Sequence, residues 1–219
     1  MSDVIAVAFG YVLGSFLPAY FMGRRQGVDL RHVGTGNPGA TNAYHTLGPV
    51  VGIIALSYDL TKGIAAMMVA TWLRTPPLIV YASGLAAVAG HRFPFYLAFR
   101  GGQAVGASAG LLLFGLGVSL SRGWVSLAEI ALLAVVALVT FGLYRRGPAV
   151  AVTVLPLLLG LVLLGGRDVT FEVFYTAVIA NIWLVNVGIV RDEQIMVSGP
   201  RLSGVLRHAG HMARTTGRH

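Results

Sequence analysis

Glycine, threonine and asparagine are concentrated in one short stretch whose residue types could bind an anion. It runs from Arg31 to Asn42 and reads Arg-His-Val-Gly-Thr-Gly-Asn-Pro-Gly-Ala-Thr-Asn. Its glycines allow successive backbone N–H groups to turn inward and form an anion-binding nest. Its threonine and asparagine side chains add neutral donors for phosphate or carbonyl oxygens. A flexible loop of turn residues is the alternative, and composition alone does not separate the two.

A second polar loop begins at His91 and leads to Arg100-Gly-Gly-Gln103, just before an apolar segment. Free N–H groups at the start of a helix favour an anion there, although Gly-Gly alone is weak evidence. A histidine at a membrane edge is more often interfacial than catalytic, and both roles stay open for His91. The acyltransferase signature His-x-x-x-x-Asp is missing because position 96 is Tyr96. No cluster of histidine, cysteine and carboxylate predicts a metal site.

Asp59 and Lys62 lie inside an apolar segment, three residues apart, where they share one face of a helix and can pair. Charges within a membrane are costly and usually face the bundle interior or a water-filled cleft. Two interpretations of Asp59 and Lys62 are therefore open: a structural ion pair that holds helices together, and a polar floor beneath a phosphate site. Asn181 and Asn186 lie in the last apolar segment, where an amide needs a partner, which favours a role in helix packing.

The elements that must position these residues are membrane helices. Hydrophobic residues make up 56% of the 219 residues and charged residues 11%, which is about half the charged fraction of a soluble domain. The net charge of +8 comes almost wholly from arginine, and the chain has no cysteine. Because the arginines lie between apolar runs, they indicate membrane topology and anionic lipid rather than nucleic acid.

Seven apolar segments have lengths that approach or reach those of membrane helices. They are Val4–Met22, Val50–Leu73, Leu78–Gly90, Ala104–Leu120, Leu127–Tyr144, Pro148–Leu164 and Phe171–Val190. The third is short and on its own could be re-entrant. Twelve arginines follow odd-numbered segments and three follow even-numbered ones, a positive-inside bias that requires all seven to cross. We predict an all-α integral membrane protein, a seven-transmembrane-helix bundle with its N-terminus outside and its C-terminus cytoplasmic.

The chain divides into a predicted membrane domain, residues 1–190, and a basic cytoplasmic tail, residues 191–219. Within the tail, one helical face would carry Leu202, Leu206, Ala209 and Met212 among arginines and histidines. That pattern is typical of a basic amphipathic helix on the inner leaflet, and a disordered basic tail is nearly as well supported. The topology places both polar loops on the cytoplasmic face, where they could form one site.

Taken in order, these motifs resemble the bacterial acyl-phosphate:glycerol-3-phosphate acyltransferases, the PlsY family, over about residues 10 to 190. The signatures are Gly14-Ser-Phe-Leu-Pro18, Gly34-Thr-Gly-Asn-Pro-Gly-Ala-Thr-Asn42, Asp59-x-x-Lys62-Gly63, and Gly90-His91-x-Phe-Pro94 followed by Arg100-Gly-Gly102. The resemblance implies a multi-pass protein of the bacterial cytoplasmic (inner) membrane. It also implies acyl transfer from acyl phosphate to glycerol 3-phosphate, which gives lysophosphatidate. No cofactor, metal or nucleic acid is expected as a partner, whereas membrane lipids are expected partners.

The resemblance also implies roles for individual residues. Thr35, Asn37 and His91 would be catalytic, and Asp59 and Lys62 would form a structural ion pair. The residues expected to bind substrate or phosphate are Gly34, Gly36, Gly39, Thr41, Asn42, His45, Lys62, Arg100, Gly101, Gly102, Gln103 and Asn181. Because acyl phosphate is already activated, these groups would only position the substrates and stabilise developing negative charge.

The chain departs from the family pattern at several positions. In the first loop, this chain has Thr35 where the family usually has serine, and His45 where it has arginine. In the second loop, Gln103-Ala104 replaces Lys-Gly. In the last segment, Val178 replaces a histidine and Trp183 replaces a basic residue. The change at Thr35 is mild, but the others remove groups expected to hold phosphate, although a protonated His45 or Arg92 could replace part of the charge.

Three functions follow from these residues. An acyltransferase is the leading hypothesis. The alternative is a catalytically degenerate homologue that serves as a structural or lipid-binding subunit of a larger membrane complex. A small transporter is a third, suggested by the intramembrane Asp59 and Lys62, but no convincing internal repeat supports it.

Overall fold

The structure, a computed structural model, describes residues 1–144, 147–165 and 168–198. These residues form nine α-helices and one 3₁₀ turn at Phe95–Leu97, with no strand among them, which confirms the predicted all-α fold. The helices are α1 Ser2–Ser15, α2 Pro18–Arg25, α3 Ala40–Leu47, α4 Pro49–Trp72, α5 Pro77–Arg92, α6 Val105–Ser121, α7 Leu127–Tyr144, α8 Gly147–Gly165 and α9 Val169–Ser198.

Each of the seven predicted segments is helical. Four stretches have the length and hydropathy of a membrane span: Ser2–Arg25, Pro49–Trp72, Pro148–Gly165 and Val169–Ile189. Two further apolar stretches, Val105–Ser121 and Leu127–Leu143, are shorter. Helix α5 has 16 residues, just below the usual length of a span. A full crossing by α5 and the orientation of the termini stay predictions.

The first predicted segment, Val4–Met22, is interrupted rather than continuous. Helix α1 ends at Ser15 and α2 begins at Pro18, with Leu17 in an extended conformation between them. Proline has no N–H to donate to the preceding turn, and it disfavours helical geometry in the residue before it. The break therefore leaves the last carbonyl groups of α1 without partners inside their own helix.

Two other boundaries differ from the prediction. The first polar loop runs directly into a short helix, α3, which the turn-rich composition did not indicate. Helix α9 continues to Ser198, past the predicted end at Val190. The proposed amphipathic face of the tail, residues 201–219, lies outside the described residues, as do Arg145 and Arg146.

Helices α1 and α5 run in the same direction in close contact. A Cβ atom on Gly10 would overlap the backbone of Ser83, and one on Gly14 would overlap that of Ala87. Small residues allow membrane helices to approach in this way, because van der Waals packing replaces the hydrophobic driving force in lipid. This contact places the C-terminal ends of α1 and α5 side by side, directly beneath the two polar loops.

The second half of the bundle packs around the beginning of α9. Phe171, Phe174 and Tyr175 are almost fully buried there, and Tyr175 fills the space that Gly115 of α6 leaves open. Large apolar side chains such as Leu138 and Leu164 are exposed on the outside. That distribution suits a bundle whose outer surface contacts lipid.

Candidate active site

A buried ion pair lies beneath the two polar loops. The Nζ atom of Lys62 is 2.9 Å from Oδ1 of Asp59 and 2.6 Å from Nδ1 of His91. The three side chains are at most 5% exposed. The predicted pairing of Asp59 with Lys62 is therefore present, and the imidazole of His91 joins it from α5.

The Nδ1 atom of His91 lies between the two charged groups. It is 2.6 Å from Nζ of Lys62 and 3.2 Å from Oδ1 of Asp59, so it can accept from the ammonium group or, when protonated, donate to the carboxylate. Nε2 faces Gly102, where a Cβ atom would overlap it, and the carbonyl oxygen of His91 accepts from the Gly102 N–H at 3.1 Å. His91 thus supports the second loop from below, and its catalytic role stays a prediction.

Side chains from other segments donate hydrogen bonds to the carbonyl groups at the C-terminal end of α1. Its last three carbonyl groups accept hydrogen bonds from the Tyr58 hydroxyl at 2.8 Å, the Lys62 ammonium at 3.0 Å and the Tyr96 hydroxyl at 2.7 Å. Burial raises the pKa of Tyr96 to about 12, so its hydroxyl keeps the proton that it donates. These bonds hold the break in the first span against α4 and the second loop.

Asn42 holds the first loop from inside. Its Oδ1 accepts from the Thr35 N–H at 3.1 Å and the Thr46 hydroxyl at 3.2 Å, and its Nδ2 donates to the carbonyls of Leu30 and Val33 at 3.0 Å. The side chain is 2% exposed. Both amide hydrogens and two acceptor positions are thereby used. Asn42 shapes the loop from inside, and its role as a phosphate ligand stays a prediction.

The predicted anion nest also differs in the structure. Gly34 and Gly36 have φ angles of +59° and +70°, so glycine is needed at both turns. However, the Thr35 N–H points to Asn42 and the Gly36 N–H donates to the Val33 carbonyl at 3.0 Å. Two of the N–H groups expected to bind an anion are therefore bonded within the loop.

The two loops meet in an open cleft of about 330 Å³. Asn37 crosses between them, since its Oδ1 accepts from the Gln103 N–H at 3.3 Å. The cleft is lined by Thr35, Gly36, Asn37, Arg92, Phe93, Arg100, Gly101, Gly102 and Gln103. Two arginines and no carboxylate are among these residues, so the cleft has the charge to bind an anion.

A smaller cleft of about 300 Å³ adjoins the first and shares Gly36, Arg100 and Gly101 with it. Its other lining residues are Arg31 and His32. Arg31 is already paired, because its guanidinium donates to Asp29 at 2.7 and 3.0 Å. These hydrogen bonds hold the pKa of the Asp29 carboxyl well below its usual range.

Asn181 connects the cleft to the membrane helices. Its Oδ1 accepts from Nη1 of Arg92 at 3.4 Å, and its Nδ2 donates to the Ser108 hydroxyl at 2.9 Å. Ser108 lies in Gly106-Ala-Ser-Ala-Gly110, which has the spacing of a nucleophile elbow. Here it is buried inside α6 rather than exposed at a strand-to-helix turn, so it does not suit a nucleophile.

The structure brings most of the predicted loop residues together and leaves others apart. Seven of them line the cleft: Thr35, Gly36, Asn37, Arg100, Gly101, Gly102 and Gln103. The remaining predicted residues are not among its lining: Gly34, Gly39, Thr41, Asn42, His45, Lys62, His91 and Asn181.

Arg92, absent from the predicted site residues, lines the cleft. Its signal in the sequence was an arginine directly after His91, at the start of the second loop. His45, the other suggested substitute cation, lies exposed on the last turn of α3 beside Tyr44.

Comparison with known proteins agrees with this geometry. A family model described as glycerol-3-phosphate acyltransferase matches residues 4–193. A glycerol-3-phosphate acyltransferase of Geotalea daltonii is 31% identical over 183 residues, which are 81% of this chain and 88% of that protein. Enzymes of the same name from Desulforamulus reducens and Geobacter sulfurreducens are 40% and 41% identical over 117 and 113 residues. Those two matches span 57% and 58% of the relatives' own lengths.

Two crystal structures have the same fold. Both are of PlsY, described as an integral membrane glycerol 3-phosphate acyltransferase. The glycerol 3-phosphate form has a TM-score of 0.68 at 26% identity and covers 91% of this chain and 94% of its own. The lysophosphatidic acid form has a TM-score of 0.66 at 24% identity and covers 91% and 93%.

Proposed function

Because the chain belongs to the glycerol-3-phosphate acyltransferase family, we propose that it transfers a fatty acyl group from acyl phosphate to glycerol 3-phosphate. The products are lysophosphatidate and inorganic phosphate. One observation carries the proposal for this chain: its two family loops meet in a cleft with two arginines and no carboxylate among the described lining residues. Both substrates carry a phosphate group, and the cleft has the charge to bind one.

The chemistry of the cleft suits a reaction without a protein nucleophile. The hydroxyl oxygen of glycerol 3-phosphate attacks the acyl carbon, and the bond from that carbon to the phosphate oxygen breaks. Threonine, asparagine, glutamine, arginine, phenylalanine and glycine line the cleft, and none of these is a base at neutral pH. The departing phosphate takes the electron pair and can accept the hydroxyl proton. The protein positions the two substrates and stabilises negative charge.

The site residues divide into two groups under this proposal. Thr35, Asn37 and Gln103 line the cleft with neutral polar groups, and Arg100 supplies positive charge. Lys62 and His91 act from below, as a buried support for the second loop. The chain is a multi-pass membrane protein, and we place it in a bacterial cytoplasmic membrane with both loops facing the cytoplasm. The arginine distribution supports that orientation.

The direct test is turnover by the purified protein in detergent micelles. We expect acyl phosphate and glycerol 3-phosphate together to give lysophosphatidate and inorganic phosphate in equal amounts. A reaction without glycerol 3-phosphate measures simple hydrolysis and serves as the control. Absence of lysophosphatidate, under conditions where a family relative forms it, would overturn the proposal. It would favour the non-catalytic subunit, for which Gln103 and His45 are the supporting features.

A further inference from the structure

Arginines at the cleft differ from most other cations in how they are paired. Lys62 is 2.9 Å from Asp59, Arg31 is 2.7 Å from Asp29, and Arg122 is 3.8 Å from Asp168. Within the described part of the chain, neither Arg92 nor Arg100 has a carboxylate within salt-bridge distance. Their positive charge is therefore uncompensated by protein groups there.

Arg92 is nevertheless held in place. Its Nη1 donates to the Gln103 carbonyl oxygen and to Oδ1 of Asn181, both at 3.4 Å, and its guanidinium lies 5.8 Å from the centre of the Phe93 ring. These partners are neutral, so they orient the side chain without cancelling its charge. A guanidinium has five N–H donors, which leaves donors for a bidentate contact with phosphate.

We propose that Arg92 binds the phosphate group of a substrate, and that Asn181 is the residue that positions it. This inference rests on the proposed acyltransferase function and names the cation of that same site. Gln103 is neutral, so Arg92 supplies charge at the end of the cleft where α6 begins. Asn181 is fixed in turn by its bond to Ser108, which anchors the arginine to α6 and α9.

Steady-state kinetics with Arg92→Gln test the contact. We expect the KM of one phosphate substrate to rise about 10- to 100-fold, the loss typical of a charge-assisted hydrogen bond, with a smaller change in kcat. Varying glycerol 3-phosphate and acyl phosphate in turn identifies which phosphate the arginine binds. Arg92→Lys keeps the charge and should recover part of the affinity. An unchanged KM for both substrates would overturn the proposal.

A matched control removes an arginine elsewhere. Arg74 is exposed at the end of α4, away from the cleft, so Arg74→Gln should leave both KM values unchanged. An equal rise in KM for this variant would show a general effect of net charge rather than a contact, and would also overturn the proposal.

Asn181→Asp tests the positioning without deleting the arginine. The new carboxylate lies beside Arg92 and neutralises it. The Ser108 hydroxyl, which accepts a hydrogen bond from Asn181 in the wild type, can instead donate one to the carboxylate. We expect the KM to rise for the same substrate that Arg92→Gln affects. We expect Asn181→Asp to cause no further rise when Arg92→Gln is already present. Equal effects of Asn181→Asp in both backgrounds would contradict the role of Asn181. If Arg92→Gln does not fold, the single variant Asn181→Asp decides: an unchanged KM for both substrates would overturn the proposal.

Titration calorimetry with glycerol 3-phosphate and with inorganic phosphate separates this inference from the proposed function. If the wild-type protein lacks turnover, the acyltransferase proposal fails, yet a weaker affinity in Arg92→Gln would still support the contact. If the wild type turns over and the variant binds each phosphate ligand as tightly as the wild type does, the acyltransferase proposal stands and Arg92 is not the phosphate ligand.

Discussion

The ammonium group of Lys62 donates a hydrogen bond to the carbonyl oxygen of Gly14 at 3.0 Å, so a buried cation caps the C-terminal end of α1. The dipole of α1 concentrates negative charge at that end, which a cation stabilises. Asp59 neutralises the same ammonium group from one turn away on α4. The predicted ion pair is therefore present and ties α1, α4 and α5 together beneath the cleft, while its role as a polar floor for phosphate stays a prediction.

We predict that Lys62→Met destabilises the protein by about 3–5 kcal/mol, because it leaves Asp59 buried without its partner. Unfolding in mixed micelles measures the change. Thr61→Val, at an exposed neighbouring position, is the control and should stay within about 0.5 kcal/mol of wild type. Adding Asp59→Asn to Lys62→Met should recover part of the loss. A single variant as stable as the control would show that the pair does not stabilise the bundle.

We expect Ala98→Gly to stabilise the second loop. Ala98 is exposed and has a φ angle of +51°, in the left-handed region that favours glycine. Relief of that conformation, less the added chain entropy of glycine, gives about 0.5–1 kcal/mol. Thermal unfolding measures the gain, and Ala89→Gly, within α5, is the contrast that should destabilise. If Ala98→Gly destabilises the protein, the backbone at Ala98 is not strained.

Gln103→Lys combined with Ala104→Gly should raise activity. The lysine adds a cation to the cleft, and glycine suits the φ angle of +59° at position 104. A new charge-assisted contact of about 1.5–3 kcal/mol would lower the KM of a phosphate substrate roughly tenfold or more. Ala104→Gly alone separates the backbone effect from the charge. If the double variant matches that control, the side chain at position 103 does not reach the bound phosphate.

Asp29 should make stability depend on pH at the acid end. Hydrogen bonds from Arg31 lower the folded pKa of Asp29 below its ordinary value of 3.8. A lowered folded pKa means that the stabilisation is present above about pH 4 and is lost as the pH falls below it. We expect Asp29→Asn to be less stable than wild type at pH 7 and to approach it below pH 4. A constant difference across that range would contradict the linkage.

The orientation can be tested because the chain has no cysteine. His32→Cys, in the first loop, and Ser121→Cys, at the end of α6, both introduce an exposed thiol. In intact cells we expect a membrane-impermeant maleimide to label position 121 and not position 32. Permeabilised cells should give label at both positions. The reverse pattern in intact cells would invert the topology.

The sequence was sufficient for the apolar membrane segments and for the meeting of the two loops, but not for α3 or for the break between α1 and α2. Apolar length gave the seven segments, and the types and order of residues placed Asn37 and Gln103 in one site, where the structure joins them. A pattern along the chain does not show where each hydrogen bond goes. The amide of Asn42 turns inward to Leu30, and Arg92 finds Asn181 from 89 residues away. Such contacts depend on packing between distant segments, so the pattern along the chain does not predict them.

The capping of α1 also bears on the order in which the protein is made. Partners for its last three carbonyl groups lie 45, 48 and 81 residues further along the chain, the last of them Tyr96. Unpaired carbonyl groups are costly in lipid. The C-terminal end of α1 is therefore fully hydrogen-bonded only once the chain as far as Tyr96 has been made and has packed against it.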